Sequence, residues 1–214
     1  RELDLDPVTV RRRNLIPSSA MPFDRKLSAL GIPIVLDSGD YEQLLQRLVD
    51  HISLDDLTID LERRRASGEL VGLGLGLFVE KSGLGPYEDV RMTVQDDGSV
   101  EVVTGVASVG QGVETVIAQI CASYLDMDYR DVTVVHGQTD RISRGMGAFA
   151  SRVTVMAGSA TYLATAAIKE EAPRLAAEML EANIEDLEYL NGSIRVRGNP
   201  DKDISLGHIS SAPD

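Results

Sequence analysis

The sequence VGQGVET, residues 109–115, is a glycine-bearing turn that runs directly into a helical pattern. Residues 145–154, GMGAFASRVT, repeat that arrangement further along the chain. The first backbone N–H groups of a helix have no intrahelical partner, and small residues in front of the helix leave them accessible to a ligand. The two turns therefore predict a site for one polyanionic ligand, with a phosphorylated cofactor as the first candidate.

The segments around these turns alternate between strand and helix periodicity. Alternating apolar residues predict strands near 71–80, 89–96, 99–106 and 131–136. Apolar residues spaced as on one helix face predict helices near 112–126 and 152–180, and Pro173 is expected to kink or split the second helix. This mixture predicts an α+β fold, in which helices pack on twisted β-sheets.

The first part of the chain has a different pattern. Asp6 and Pro7 are typical of the cap and first residue of a short helix. The prolines within residues 15–36 indicate a long irregular connection. Because strand periodicity begins only after that part, we predict two regions: N-terminal helices and irregular connection at residues 1–69, and an α+β region at residues 70–214.

Residues 71–79, VGLGLGLFV, alternate glycine with apolar side chains. This is the period of a strand, and a face made only of glycine carries no side chains. We therefore expect a neighbouring helix or strand to lie close to that backbone. No helical pattern opens directly after the segment, so its glycines do not form a nucleotide-binding motif.

The composition excludes several functional classes. A net charge of −13 over 214 residues argues against nucleic acid and against anionic membrane surfaces. The single cysteine, Cys121, excludes a disulfide framework, a thiolate zinc site and a cysteine-ligated iron–sulfur cluster within this chain. The first residues do not resemble a signal peptide, and no apolar run approaches the ~20 residues that span a bilayer. A cytoplasmic location is expected.

The first turn carries candidate ligand-binding residues. Gly110 and Gly112 allow a sharp turn and a close approach of a ligand to the backbone. Gln111 stands between them, and its amide offers one acceptor and two donors to the edge of a heterocycle or to a metal-bound oxygen. The alternative is an ordinary strand-to-helix turn whose glutamine faces water.

The second turn combines small and polar residues. Ala150 follows Phe149 and leaves room for a ligand, and Ser151 and Thr154 supply hydroxyl groups at the start of a helix. Arg152 is suited to pairing with a phosphate. The alternative role for Arg152 is a salt bridge to one of the many acidic residues of the chain.

Several segments occur in an order that carries a family resemblance. They are Asp6-Pro7, Arg12 to Ile16, Asp37 to Tyr41, the glycine-alternating segment, Gly110-Gln111-Gly112 with Thr115, and Gly147 to Arg152. This ordered set resembles the molybdopterin-binding subunit of the xanthine dehydrogenase, aldehyde oxidase and aerobic carbon monoxide dehydrogenase family. The resemblance extends over nearly the whole chain.

The resemblance implies a molybdenum–molybdopterin cofactor, either as such or as its cytosine dinucleotide. It also implies oxidation of a C–H bond in an aldehyde, N-heterocycle or related small molecule with water-derived oxygen. Electrons are expected to leave through iron–sulfur clusters to FAD, both on other chains or domains.

The resemblance also gives roles to individual residues. Gln111 matches a glutamine that hydrogen-bonds the pterin, and Ala150 matches a small residue beside the molybdenum. Ser151 and Thr154 match hydroxyl-bearing positions at the cofactor. Arg152 matches a residue of the bacterial branch, and Phe149 is bulkier than the usual occupant, which is expected to narrow the approach of substrate.

The family's catalytic glutamate, in a GxGE segment, has no counterpart in this sequence. We therefore predict no catalytic residue and no metal ligand within the chain, and no activity in isolation. The expected partners are the remainder of the molybdopterin subunit, iron–sulfur and flavin subunits or domains, and a small-molecule substrate, in an oligomeric enzyme. The alternative to an enzyme subunit is a binding protein: a non-catalytic domain whose two turns bind a nucleotide or a protein.

Overall fold

The computed structural model describes residues 5–212 of the chain and contains two compact units. Unit 1 is Arg1–Val79 and unit 2 is Glu80–Asp214. The glycine-alternating segment 71–79 belongs to unit 1, whereas the sequence pattern had grouped it with the later α+β region.

The described part of unit 1 contains three α-helices, two strands and one short 3₁₀ turn. In chain order its elements are α1 (Pro7–Asn14), a 3₁₀ turn (Ser18–Ala20), β1 (Phe23–Ala29), β2 (Ile32–Leu36), α2 (Tyr41–His51) and α3 (Leu54–Ala66). The Asp6 carboxylate accepts a hydrogen bond from the Thr9 N–H at 2.7 Å, which confirms the predicted helix start.

The prediction of an irregular connection over residues 15–36 is wrong, because β1 and β2 form an antiparallel hairpin. The hairpin turns at Leu30 and Gly31, whose φ angles are 50° and 76°. Two successive positive φ angles match the twist of the flanking strands and define a tight two-residue turn. Pro33 is compatible with this ribbon because each of its two strands is an edge strand.

The prediction of a strand near 71–80 is also wrong for this structure. No strand assigned within residues 5–212 pairs with that segment, and a strand exists only through hydrogen bonds to a partner. A Cβ atom added to Gly72, Gly74 or Gly76 would meet nothing within 4 Å. The glycine face is therefore open, and the close neighbour expected from the sequence is absent from the described part of the chain.

Unit 2 has two three-stranded sheets and two long helices, which confirms the α+β fold. Its elements are β3 (Val90–Val94), β4 (Val100–Thr104), α4 (Val113–Leu125), β5 (Val132–His136), a π-helical turn (Val153–Ala157), α5 (Gly158–Met179), β6 (Leu187–Leu190), β7 (Ser193–Val196), β8 (Asn199–Ser205) and α6 (Leu206–Ser210). The first sheet has the order β3-β4-β5, and the second has the order β6-β7-β8.

The first sheet combines a hairpin with a crossover. β3 and β4 pair antiparallel around a turn at Asp97-Gly98, a dipeptide typical of hairpins, and β4 pairs parallel with β5. α4 connects the two parallel strands and buries one apolar face against the sheet. Full burial of Ile117 and Leu125 contributes about 1.5–3 kcal/mol for each side chain.

The expectation that Pro173 splits the last long helix is wrong, because α5 continues through it to Met179. Ala172 and Ala176 are buried on either side of the proline, in a cluster with β6, β7 and α6. That packing offsets the loss of one backbone hydrogen bond at the proline.

Candidate functional site

Both predicted turns leave the same edge of the first sheet. The first loop, residues 105–112, follows β4, and the second loop, residues 137–152, follows β5. Because β4 and β5 are parallel, their carboxyl ends lie at one edge, which is where open α/β sheets bind ligands. The loops touch at their bases, since a Cβ atom built on Gly105 would lie 2.7 Å from the Gly145 Cα.

The tip of the first loop is an open turn. Gly110 and Gly112 have φ angles of 96° and 78°, which side-chain-bearing residues rarely adopt. A Cβ atom added to either glycine would meet nothing within 4 Å, so the space beside the backbone is free. Gln111 is exposed, and its Oε1 accepts a hydrogen bond from the Val109 N–H at 2.7 Å. Its NH₂ group has no partner among residues 5–212 and is available to an acceptor.

Each loop leads into a helix whose first N–H groups lack a side-chain cap. Gly112 occupies the cap position of α4 and has no side chain to cap it. Arg152 precedes the π-helical turn and its side chain makes no capping hydrogen bond either. No side chain of residues 5–212 caps either helix start, so the first N–H groups are available to solvent or to a ligand.

The second loop ends in strained backbone. Ala150 and Ser151 both have φ angles of 46°, in the left-handed region. Such residues cost about 1–3 kcal/mol each and occur mostly at ligand clamps and active sites. The π-helical turn Val153–Ala157 that follows is a second irregularity typical of functional sites.

Arg152 occupies the interior rather than the surface of this loop. Its side chain is fully buried and forms an ion pair with the buried Glu88. Its Nε donates to the Leu84 carbonyl at 2.7 Å, and its two terminal nitrogens donate to the Tyr87 and Gly147 carbonyls at 2.5 and 2.8 Å. Of the two alternatives for Arg152, the structure therefore contains the salt bridge, and the guanidinium has no access to a phosphate in this conformation.

The other predicted residues of the second loop are accessible. Phe149 is 40% exposed, and its ring centroid lies 5.3 Å from the Arg152 guanidinium carbon. The Ser151 hydroxyl lies 3.3 Å from Glu80 Oε1 and donates to it, and Thr154 is exposed. These side chains can contact a ligand without rearrangement of the core.

Two acidic residues near the loops were not given a role from the sequence. Glu88 pairs with Arg152 across a separation of 64 residues, and no local pattern signals such a contact. Glu114 lies 2.7 Å from His136 Nε2, between the first turn of α4 and the end of β5. The predicted order strand, helix, strand over residues 99–136 was an available signal for this second pair, because such a crossover usually joins parallel neighbours.

One further cavity of unit 2 lies apart from the predicted residues. A cavity of about 520 Å³ lies between the turns that contain Asp97, Asp126, Asp128 and Gly192. Within residues 5–212, no three His, Cys, Asp or Glu side chains are grouped so as to hold a metal ion. The same residues include no helix that is long and apolar enough to cross a membrane.

Comparison with known proteins identifies the family. Residues 47–213 match the model of the molybdopterin cofactor-binding domain. The chain belongs to this family. The molybdenum hydroxylase resemblance drawn from the ordered sequence motifs is thereby confirmed.

Relatives of this molybdopterin-binding chain are subunits of oxidoreductases. It is 40% identical to the gamma subunit of the 6-hydroxypseudooxynicotine dehydrogenase complex of Paenarthrobacter nicotinovorans, over 100% of this chain and 27% of that protein. It is 31% identical to the carbon monoxide dehydrogenase large chain of Afipia carboxidovorans, over 94% of this chain and 26% of the relative. The chain thus spans about a quarter of the length of these relatives.

Solved structures agree with this assignment. Quinoline 2-oxidoreductase from Pseudomonas putida 86 superposes with a TM-score of 0.65 at 29% identity, over 99% of this chain and 28% of that one. Carbon monoxide dehydrogenase from Oligotropha carboxidovorans superposes with a TM-score of 0.61 at 29% identity, over 97% and 27% of the two chains. The molybdopterin-binding chain therefore shares the fold of molybdenum-dependent oxidoreductases.

Proposed function

We propose that the chain holds the pterin side of a molybdenum–molybdopterin cofactor in a molybdenum hydroxylase. The observation that carries the proposal is the emergence of two uncapped helix starts from one edge of a parallel strand pair. Backbone N–H groups at such starts bind anionic and polar ligand edges without a requirement for positive net charge. This accounts for a cofactor site in a chain whose net charge is −13.

The residues present fit that group. The open backbone at Gly110 and Gly112 gives room for a flat heterocycle beside the turn. The unpaired NH₂ group of Gln111 suits a pterin carbonyl or ring nitrogen, both of which accept hydrogen bonds. Ala150 occupies little volume, and Ser151 and Thr154 add hydroxyl groups at the second helix start.

When bound, the cofactor supplies a molybdenum centre at which a C–H bond is oxidised with water-derived oxygen. The chain's own part is to bind and orient the group through backbone N–H groups and through Gln111, Ser151 and Thr154. Phe149 adds an exposed aromatic wall that narrows the approach of substrate.

The remaining parts of the enzyme are proposed to lie outside the chain. They are a catalytic glutamate, iron–sulfur clusters, FAD, and the rest of the molybdopterin subunit, in a cytoplasmic oligomer. The substrate is proposed to be an aldehyde, N-heterocycle or related small molecule, and the names of relatives that act on nicotine or quinoline support an N-heterocycle. Without the remaining parts, residues 1–214 are expected to be inactive.

The test is the metal and pterin content of the complete enzyme that contains this chain, assembled with its partner subunits. We expect molybdenum and a releasable pterin in equal amounts, and a decrease in both after substitution of Gln111. Fully assembled protein that lacks molybdenum would instead favour the alternative, a non-catalytic domain that binds a nucleotide or a protein.

A further inference from the structure

We infer that Arg152 and Glu88 form a buried clamp that positions the second cofactor-binding turn, and that Arg152 does not itself bind the cofactor's phosphate. The inference rests on the proposed function, because the turn in question is the one assigned to the cofactor. It concerns a positioning role, which acts through Ala150 and Ser151.

Two hydrogen bonds of Arg152 connect the end of the turn to residues at its beginning. The Arg152 guanidinium donates to the Gly147 carbonyl at 2.8 Å, and the Arg152 backbone N–H donates to the Phe149 carbonyl at 3.1 Å. The left-handed residues Ala150 and Ser151 lie between these anchor points. Strained backbone persists only where its surroundings hold it in place, and these bonds supply that restraint.

The same guanidinium ties the turn to a separate segment of unit 2. It donates to the carbonyls of Leu84 and Tyr87, while Glu88 accepts both from Arg152 and from the Met146 N–H at 3.2 Å. Residues on both sides of the turn are therefore held by one ion pair. The planar guanidinium group carries five N–H donors and can donate to both carbonyls and to the carboxylate at the same time. The single ammonium group of a lysine cannot reach all of these acceptors, so lysine cannot replace arginine here.

The burial of the pair excludes a direct role toward an anion. Both side chains have 0% exposure, and four hydrogen bonds occupy the guanidinium. To reach a phosphate, Arg152 would have to leave Glu88 as an unpaired buried charge, which is strongly unfavourable. A Cβ atom built on Gly105 would lie 2.5 Å from Glu88 Oε1, so the Gly105 backbone leaves the carboxylate no space to follow the arginine on that side.

The test compares Arg152→Lys with the matched control Arg141→Lys in the complete enzyme. Arg141 forms a partly buried ion pair with Glu101, outside the turn. Hydrogen exchange of residues 147–152 is measured on cofactor-free protein, and molybdenum and pterin content on loaded protein. We expect Arg152→Lys to raise exchange in the turn by about tenfold or more and to lower cofactor content, with both unchanged in Arg141→Lys.

Two results would overturn the inference. One is loss of cofactor with unchanged exchange in cofactor-free Arg152→Lys, which would indicate a direct contact between Arg152 and the cofactor. The other is faster exchange with full cofactor content, which would show that the clamp does not position the site. If Arg152→Lys does not fold, Glu88→Gln supplies the same comparison, because it keeps the shape of the side chain and removes the charge.

The exchange measurement separates this inference from the proposed function. Wild-type enzyme that lacks molybdenum after full assembly would refute the proposed function. Exchange in cofactor-free protein would still report whether the ion pair restrains the turn.

Discussion

His136 Nε2 lies 2.7 Å from Glu114 Oε1 and joins the end of β5 to the first turn of α4. The second oxygen of Glu114 lies 3.5 Å from the Ser108 hydroxyl, which in turn accepts from the Gly110 N–H at 3.4 Å. A chain of polar contacts thus connects His136 to the backbone of the first turn, which is proposed to bind the cofactor. The hydrogen bond from His136 is the main cause that lowers the pKa of Glu114.

This pair predicts a pH-dependent contribution to stability. Because the folded-state pKa of Glu114 is below its ordinary value of 4.5, the contribution is complete above about pH 4.5 and is lost as the pH falls through the lowered pKa. Glu114→Gln should therefore lower the melting temperature near neutral pH and approach wild type in acid. Glu178→Gln, at an exposed position with no ion pair to residues 5–212, is the control. A constant difference between Glu114→Gln and wild type at every pH would contradict the prediction.

Gln111→Ala should weaken cofactor binding with little effect on folding. It leaves a polar edge of the bound cofactor unpaired, at a cost of about 1–3 kcal/mol. Gln111→Glu should be worse, because it places a negative charge beside an anionic group. Molybdenum occupancy and melting temperature are measured together, with Gln95→Ala as the control at an exposed glutamine beyond β3. Full occupancy in both Gln111 variants would mean that this side chain only faces water.

Gly105→Ala should destabilise unit 2. The added Cβ would lie 2.4 Å from the Arg144 carbonyl oxygen, and backbone cannot move aside as a flexible side chain can. The expected loss is about 1–3 kcal/mol in the free energy of unfolding. Gly74→Ala is the matched control, because its Cβ meets nothing within 4 Å. Denaturant unfolding of the chain measures both, and equal stabilities would refute the close contact between the two loops.

Tyr189→Phe should leave stability unchanged or raise it. The Tyr189 hydroxyl is buried without a hydrogen-bond partner among residues 5–212, and burial raises its pKa. Removal of an unsatisfied hydroxyl relieves a desolvation penalty of about 1–3 kcal/mol. The Lys169 ammonium lies 4.7 Å from the ring centroid, and a phenylalanine ring preserves that contact. Thermal unfolding measures the effect against Tyr162→Phe at a partly exposed position, and a clear loss of stability would imply a hidden partner for the hydroxyl.

Cys121 should be unreactive in the folded protein. The side chain lies on the buried face of α4, and burial raises its pKa to about 12. The thiolate is the reactive form, so a thiol reagent at about pH 8 should label the native protein very slowly. After denaturation one thiol per chain should react. Rapid labelling of the native protein would show that the α4 core opens readily.

Local sequence was sufficient wherever a structural element depends on its own residues. The Asp6 cap, the Asp97-Gly98 turn and the apolar stripe of α4 each follow from residues a few positions apart. The positions of both glycine-bearing turns follow in the same way, because glycine placement and helix periodicity are local properties.

Contacts between distant residues were decided only by the tertiary structure. Arg152 and Glu88 are 64 residues apart, so the choice between phosphate ligand and salt bridge depended on which segment packs beside the second loop. Segment 71–79 has the alternation of a strand and yet pairs with no strand of the described chain, because a strand requires a partner that its own residues cannot supply. Pro173 stays within a continuous helix because alanines on either side are buried against another sheet. Periodicity determines which face of an element is apolar, whereas packing determines what that face meets.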